Sequence, residues 1–207
     1  MGVEAQNISA RPVLVRRGRL LEYFTIGWNL LEAVVAIGSG IIAGSIALVG
    51  FGVDSLIESL SGSILLWRLA DDSDAREKIA VRLVGGSFMI LAAYVAFDAV
   101  KSLIYQEAPE ASYVGIGLAA ASILVMPLLA RAKKDVGVKL GSRAMVADSK
   151  QTNICAYLSV ILLAGLILNA YFGWWWADPV AALIMIPIIV KEGIEGLRGD
   201  VCDDGCH

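Results

Sequence analysis

The chain alternates between long apolar runs and short polar links. The apolar runs lie at about residues 20–43, 45–67, 79–104, 111–130, 144–172 and 174–190. Each is near or above the roughly 17 residues that a helix needs to cross a bilayer. The pattern predicts an all-α membrane protein with six transmembrane helices, which form one domain over residues 20–198.

Composition agrees with a membrane protein, since 57% of the 207 residues are hydrophobic and only 18% are charged. A water-soluble domain of this size rarely has such a balance. The formal net charge of −3 gives no support to nucleic-acid binding. The cysteines do not form a secreted disulfide pattern, and no signal-peptide core precedes the first apolar run, so we expect reduced thiols and no cleaved leader.

Basic residues are concentrated in every second link. They precede the first run, separate the second from the third and the fourth from the fifth, and follow the sixth: Arg11, Arg16, Arg17, Arg19, Arg68, Arg76, Lys78, Arg82, Arg131, Lys133, Lys134, Lys139, Arg143, Lys191 and Arg198. The positive-inside rule then places both termini in the cytoplasm. Residues 1–19 are interpreted as a cytoplasmic N-terminal segment and residues 199–207 as a cytoplasmic tail of a protein in the cell (inner) membrane.

Two carboxylates interrupt the second apolar run. Asp54 and Glu58 are one helical turn apart, and no other ionisable residue occurs within residues 45–67. A charge inside the bilayer costs a few kcal/mol even on the mildest insertion scales, so a bound cation is the simplest compensation. The alternatives are a structural ion pair, with Lys150 as the nearest basic residue by depth, or a pair of neutral acids.

The fifth helix carries polar side chains at spacings of three and four along one face: Asp148, Gln151, Cys155 and Ser159. The second and fifth helices run antiparallel, so if they face one another Asp54 lies nearest Cys155 and Glu58 nearest Gln151. Two carboxylates, a thiolate and an amide oxygen suit a four-coordinate transition metal better than Ca²⁺ or Mg²⁺. Gln151 as an interhelical hydrogen-bond partner and Cys155 as a small packing residue are the ordinary alternatives.

These residues, in this order, resemble the cation diffusion facilitator family of divalent-metal transporters. The similar segments are Gly44-Ser45-Ile46-Ala47-Leu48 with Asp54-Ser55-Leu56-Ile57-Glu58, then Ala147-Asp148, Asn29 with Glu32, Phe97-Asp98-Ala99-Val100, and Asp178-Pro179. The resemblance implies that Asp54, Glu58, Gln151 and Cys155 are the metal ligands. It also implies supporting or pathway roles for Asn29, Glu32 and Asp148.

The resemblance implies a proton-coupled exporter of Zn²⁺ or a similar soft ion, with Cd²⁺ or Co²⁺ as further substrates, and neither an enzyme nor a cofactor-dependent protein. Family members usually have histidine where this chain has Gln151, whereas Cys155 in place of a carboxylate favours soft ions. Many also have a cytoplasmic C-terminal domain that dimerises. This chain stops before such a domain, so the implied homodimer is expected to use contacts in the membrane.

The last residues form a second candidate metal site. Cys202, Cys206 and His207 supply two thiols and an imidazole, with two aspartates between them. Such a cluster could bind a soft metal near the cytoplasmic entrance. The alternative is a disordered polar end, which most termini are.

Two other functions remain open. The sequence Gly50-Phe51-Gly52-Val53-Asp54 is one residue longer than the Gly-x-Gly-Asp of intramembrane aspartyl proteases, which also need a second aspartate, such as Asp98 or Asp148. A metal-sensing or interaction protein that keeps the fold without transport is the other alternative, and Gln151 is the residue that favours it.

Overall fold

The computed structural model describes residues 2–68, 74–106 and 109–198, so the candidate tail site at Cys202, Cys206 and His207 lies outside the described residues. Within these ranges the chain forms helices and no strands: α1 (Gly2–Ala43), α2 (Ile46–Arg68), α3 (Asp74–Tyr105), α4 (Tyr113–Leu140), α5 (Arg143–Phe172) and α6 (Ala177–Arg198). The prediction of an all-α membrane protein is confirmed.

Five of the described helices are long and apolar enough to cross a membrane. Their candidate spans are Arg11–Ala43, Ile46–Trp67, Phe88–Tyr105, Tyr113–Leu140 and Asp148–Phe172. Helix α6 forms over 22 residues but is not among the five, because it has Asp178 in its first turn and Lys191, Glu192, Glu195 and Arg198 toward its end. A sixth crossing by α6 therefore stays a prediction.

Several helices extend beyond the apolar runs, and α4 does so in a way that matters for the site. Its apolar run ends near residue 130, whereas the helix continues to Leu140 and stops at Gly141, whose φ of 65° favours glycine. Ser142 then caps α5 by accepting a hydrogen bond from the Met145 N–H. The link between α4 and α5 is thus two residues long, and Arg131 to Lys139 lie on a helix, where the sequence interpretation had placed them in a link.

The helices pack most extensively as three pairs: α1 with α2, α4 with α5, and α3 with α6. Helix α2 also contacts α3, α5 and α6, so it lies at the centre of the bundle. The α3–α6 pair is close because Gly85 has no side chain; a Cβ there would lie 2.5 Å from the Leu197 backbone nitrogen. Small residues at helix crossings are typical of membrane bundles, where close backbone approach is a main source of stability.

Candidate metal site between α2 and α5

Asp54 and Glu58 point into the bundle rather than toward lipid. Asp54 is 5% exposed and Glu58 is 2% exposed, and both lie in the interior turns of α2. Residues four apart share one face of a helix, and here that face is turned toward the neighbouring helices. The two acids found in the sequence therefore occupy the protein interior, where a cation can compensate them.

The thiol of Cys155 borders both acids. Cys155 is a free, buried cysteine on α5, and it interacts electrostatically with Asp54 and with Glu58. Asp54 lies beside Cys155, as antiparallel packing of α2 and α5 requires. Two carboxylates and one thiol from two helices are thus close to one another.

Among the residues that the structure describes, neither carboxylate oxygen of Glu58 has a hydrogen-bond partner, although both are buried. Thr152 and Cys155 lie against it, but neither makes a hydrogen bond of normal geometry. A buried carboxylate without donors is unfavourable by several kcal/mol in general. A cation bound beside Glu58 would therefore compensate a buried acid that lacks donors.

Gln151 is half-buried on α5, and its buried side-chain nitrogen has no hydrogen-bond partner in the described part of the chain. Across residues 2–68, 74–106 and 109–198, no three or more His, Cys, Asp or Glu side chains are arranged as a group that could hold a metal ion. The structure thus brings Asp54, Glu58 and Cys155 near one another, without a coordinating geometry.

Glu32 lies next to this cluster and is held by three donors. The Trp28 indole N–H donates to Oε1 at 2.7 Å, the Ser55 hydroxyl donates to Oε2 at 3.3 Å, and the Ser122 hydroxyl donates to Oε1. The donors come from α1, α2 and α4, so Glu32 connects three helices. Its charge interacts with that of Asp54, which places it beside the candidate site.

Helix α1 presents a continuous buried polar face to this region. Its members recur at spacings of three and four and are almost fully buried: Glu22, Thr25, Asn29 and Glu32. Both polar atoms of the Asn29 side chain are buried, and neither has a hydrogen-bond partner within residues 2–68, 74–106 and 109–198. Sequence reasoning identified Asn29 and Glu32 but missed Glu22 and Thr25, although the spacing on a single helix face could have revealed them.

Lys133 is the largest difference between the sequence interpretation and the structure. It is 0% exposed, and its ammonium lies 2.5 Å from Asp148 Oδ2 and 3.0 Å from Glu22 Oε2. Lys150, which the sequence suggested as the basic partner by depth, is exposed. Asp148 is therefore an ion-pair partner of Lys133, and the basic residue nearest the acids comes from α4.

The sequence did contain a signal for Lys133. The buried positions of α4 repeat at helical spacing: Met126, Leu129, Ala130, Lys133, Val136 and Gly137. Lys133 occupies a position of this repeat that is normally apolar. Helical periodicity therefore places its side chain on the buried face of α4. A count of charges in the link cannot distinguish it from its exposed neighbour Lys134.

Comparison with known proteins gives one family match, to the cation efflux transmembrane domain over residues 24–200. An uncharacterized transporter of Methanocaldococcus jannaschii is 31% identical over 178 residues, which are 81% of this chain and 62% of that protein. Transmembrane protein 163 of Xenopus laevis is 25% identical over 197 residues, covering 93% of this chain and 68% of that protein.

A cadmium, cobalt and zinc/H⁺-K⁺ antiporter of Bacillus velezensis is 25% identical over 187 residues, which cover 81% of this chain and 55% of that protein. The chain thus spans between 55% and 68% of the length of these relatives. The matched part includes α2 and α5, which carry the candidate site.

Proposed function

This chain belongs to the cation efflux family, and we propose that it carries a divalent transition-metal cation out of the cytoplasm, with Zn²⁺ or a similar soft ion as substrate. One observation carries the proposal: two buried acids, Asp54 and Glu58, lie beside the buried thiol of Cys155 in the middle of the bundle. The name of the Bacillus velezensis relative, which includes cadmium, cobalt and zinc, supports the same substrate class.

The donor set explains the choice of metal. Asp54, Glu58 and Gln151 offer oxygen, and Cys155 offers sulfur, so the four side chains would together make a mixed site. A thiolate selects Zn²⁺ or Cd²⁺ over Mg²⁺ and Ca²⁺, which prefer oxygen ligands alone. Coordination requires that the carboxylates and the thiol be unprotonated, so metal binding releases protons from the groups that hold them.

Proton exchange follows from this competition. A metal ion that enters from the cytoplasm displaces protons, and protons that arrive from the other side displace the metal. Rocking of helices around a site at the middle of the membrane supplies alternating access. In this proposal the protein acts as a homodimer in the cell membrane, α6 crosses the bilayer, and both termini are cytoplasmic.

Flux through purified protein in liposomes tests the proposal. Vesicles are loaded with Zn²⁺ or Cd²⁺ and a pH gradient is imposed, while an external metal indicator records release. Asp54→Asn and Glu58→Gln should each lower the flux by more than about tenfold, since each replaces a charged carboxylate ligand by a neutral amide that binds Zn²⁺ more weakly. Asp135→Asn is the matched control, because Asp135 is an exposed acid on α4. Parent-level flux in both site variants would overturn the site assignment.

A metal-sensing member without transport is the second candidate, and the amide of Gln151 favours it because amide oxygen is a weak donor for Zn²⁺. Gln151→His distinguishes the two. A large gain in flux would indicate a site that has lost transport, whereas a loss would indicate that Gln151 is adapted to its own substrate. The protease hypothesis is wrong, because the chain belongs to a family of transporters and not of enzymes.

A further inference from the structure

A buried cation belonging to the protein itself lies next to the candidate metal site. The Lys133 ammonium is enclosed by Glu22 of α1 at 3.0 Å and by Asp148 of α5 at 2.5 Å. It also donates to the Thr152 hydroxyl at 3.3 Å. The oxygen atoms around this nitrogen thus come from two acids and one hydroxyl, on two helices other than its own.

Acidic groups outnumber the single cation around Lys133. One ammonium faces two carboxylates in contact and interacts electrostatically with a third, that of Glu58. Thr152 lies between Lys133 and Glu58. Its hydroxyl accepts the hydrogen bond from Lys133, and its side chain lies against Glu58. Lys133 and the candidate metal site are therefore joined through a single threonine side chain.

We propose that Lys133 is the resident counter-cation of the metal site, present in the empty state and in competition with the incoming metal ion. The inference rests on the proposed function. When the site is empty, the ammonium compensates buried acids that would otherwise be very costly in the membrane. When a divalent ion binds near Glu58, the two positive charges repel each other, so affinity is held below its maximum and release is favoured.

A purely structural ion pair predicts something different. If Lys133 only joined α1, α4 and α5, its removal would loosen the bundle and would weaken metal binding or leave it unchanged. If Lys133 is a counter-cation, its removal should give tighter metal binding, because the competing positive charge is gone. Transport should become slower, because the acids of the metal-free site are no longer compensated. The sign of the change in affinity therefore separates the two roles.

The test uses purified full chain, with equilibrium binding of Zn²⁺ and Cd²⁺ and flux in liposomes. Lys133→Met should bind metal about tenfold more tightly or better, since a buried unit charge nearby is removed, and should transport more slowly. Lys133→Arg keeps the charge and should bind with nearly the parent affinity. Lys134→Met is the matched control on the adjacent, exposed lysine of α4 and should change neither quantity.

A second variant, Glu22→Gln, tests the same role if Lys133→Met does not fold. Glu22→Gln leaves Lys133 paired with Asp148 but frees more of its charge toward Glu58, so metal binding should weaken several-fold. Unchanged or weaker binding in folded Lys133→Met would overturn the counter-cation role. If that variant does not fold, unchanged binding in Glu22→Gln would overturn it. Absence of metal binding in both the parent and Lys133→Met would instead overturn the proposed function.

Discussion

The Ser45 hydroxyl, just before α2, donates a hydrogen bond of 2.5 Å to Asp178 Oδ1 in the first turn of α6. The other oxygen of Asp178 accepts from the Ile46 backbone N–H at 2.9 Å. A side chain from one helix thus caps the N-terminus of another, and its negative charge lies at the positive end of the α2 dipole. Because α2 carries Asp54 and Glu58, this contact sets their height relative to α6.

Asp178→Ala should lower the free energy of unfolding by about 1–2 kcal/mol, the usual cost of a lost helix cap. Asp178→Asn keeps an oxygen acceptor and should cost less. Thermal unfolding of the purified protein in detergent measures both. Equal melting temperatures for the parent and the alanine variant would show that the cap adds no stability.

The glycine pair in α3 offers a test of helix packing with its own control. Gly85→Ala should destabilise the α3–α6 contact by about 1–3 kcal/mol, because the added Cβ meets backbone atoms that cannot move aside. Gly86→Ala should be neutral or stabilising, since a Cβ at Gly86 meets no atom of the described residues within 4 Å. A parent-like melting temperature for Gly85→Ala would mean that the two helices can separate without cost.

Ser122→Ala removes one of the three donors to Glu32. We expect a loss of about 1–2 kcal/mol in stability, because a hydrogen bond to a buried carboxylate is stronger than one between neutral groups. Denaturant unfolding gives the value, and Ser39→Ala is the control, since the Ser39 hydroxyl donates only to carbonyls of its own helix. A loss no larger than that of Ser39→Ala would contradict the special role of the Glu32 contact.

Cys155→Ala should change which metals bind. Without the thiol, binding of Cd²⁺ and Zn²⁺ should fall more than binding of Co²⁺ and Mn²⁺, because sulfur contributes most to soft ions. Competition binding among the four metals measures the change. The same loss for all four would mean that Cys155 supports the site by packing and is not a ligand.

Lowering the pH should weaken metal binding in the parent and in Glu58→Gln, because protonated carboxylates and thiols do not coordinate metal. The loss should be smaller in Glu58→Gln than in the parent, since one competing proton site is removed. Binding isotherms at several pH values give the comparison. A pH-independent affinity in the parent would exclude direct proton competition at this site.

The helices and their order could be predicted from the sequence because hydrophobic runs long enough to cross a bilayer need no partner to be recognised. The shared face of Asp54 and Glu58, and that of Gln151 and Cys155, followed from helical periodicity alone. The C-terminal end of α4 could not be predicted in this way. The hydropathy pattern stops at the first charged residues, whereas backbone hydrogen bonding continues to a cap at Gly141.

The sequence by itself determined the fold class and the acids of the candidate site, because both depend on local spacing and on the cost of charge in an apolar segment. Only the tertiary structure decided that Lys133 is buried while Lys134 is exposed, and that Lys133 forms buried ion pairs with Glu22 and Asp148 while Lys150 is exposed. The reason is physical. Burial of a charge depends on partners from other helices, here Glu22 and Asp148, whose approach no local pattern specifies.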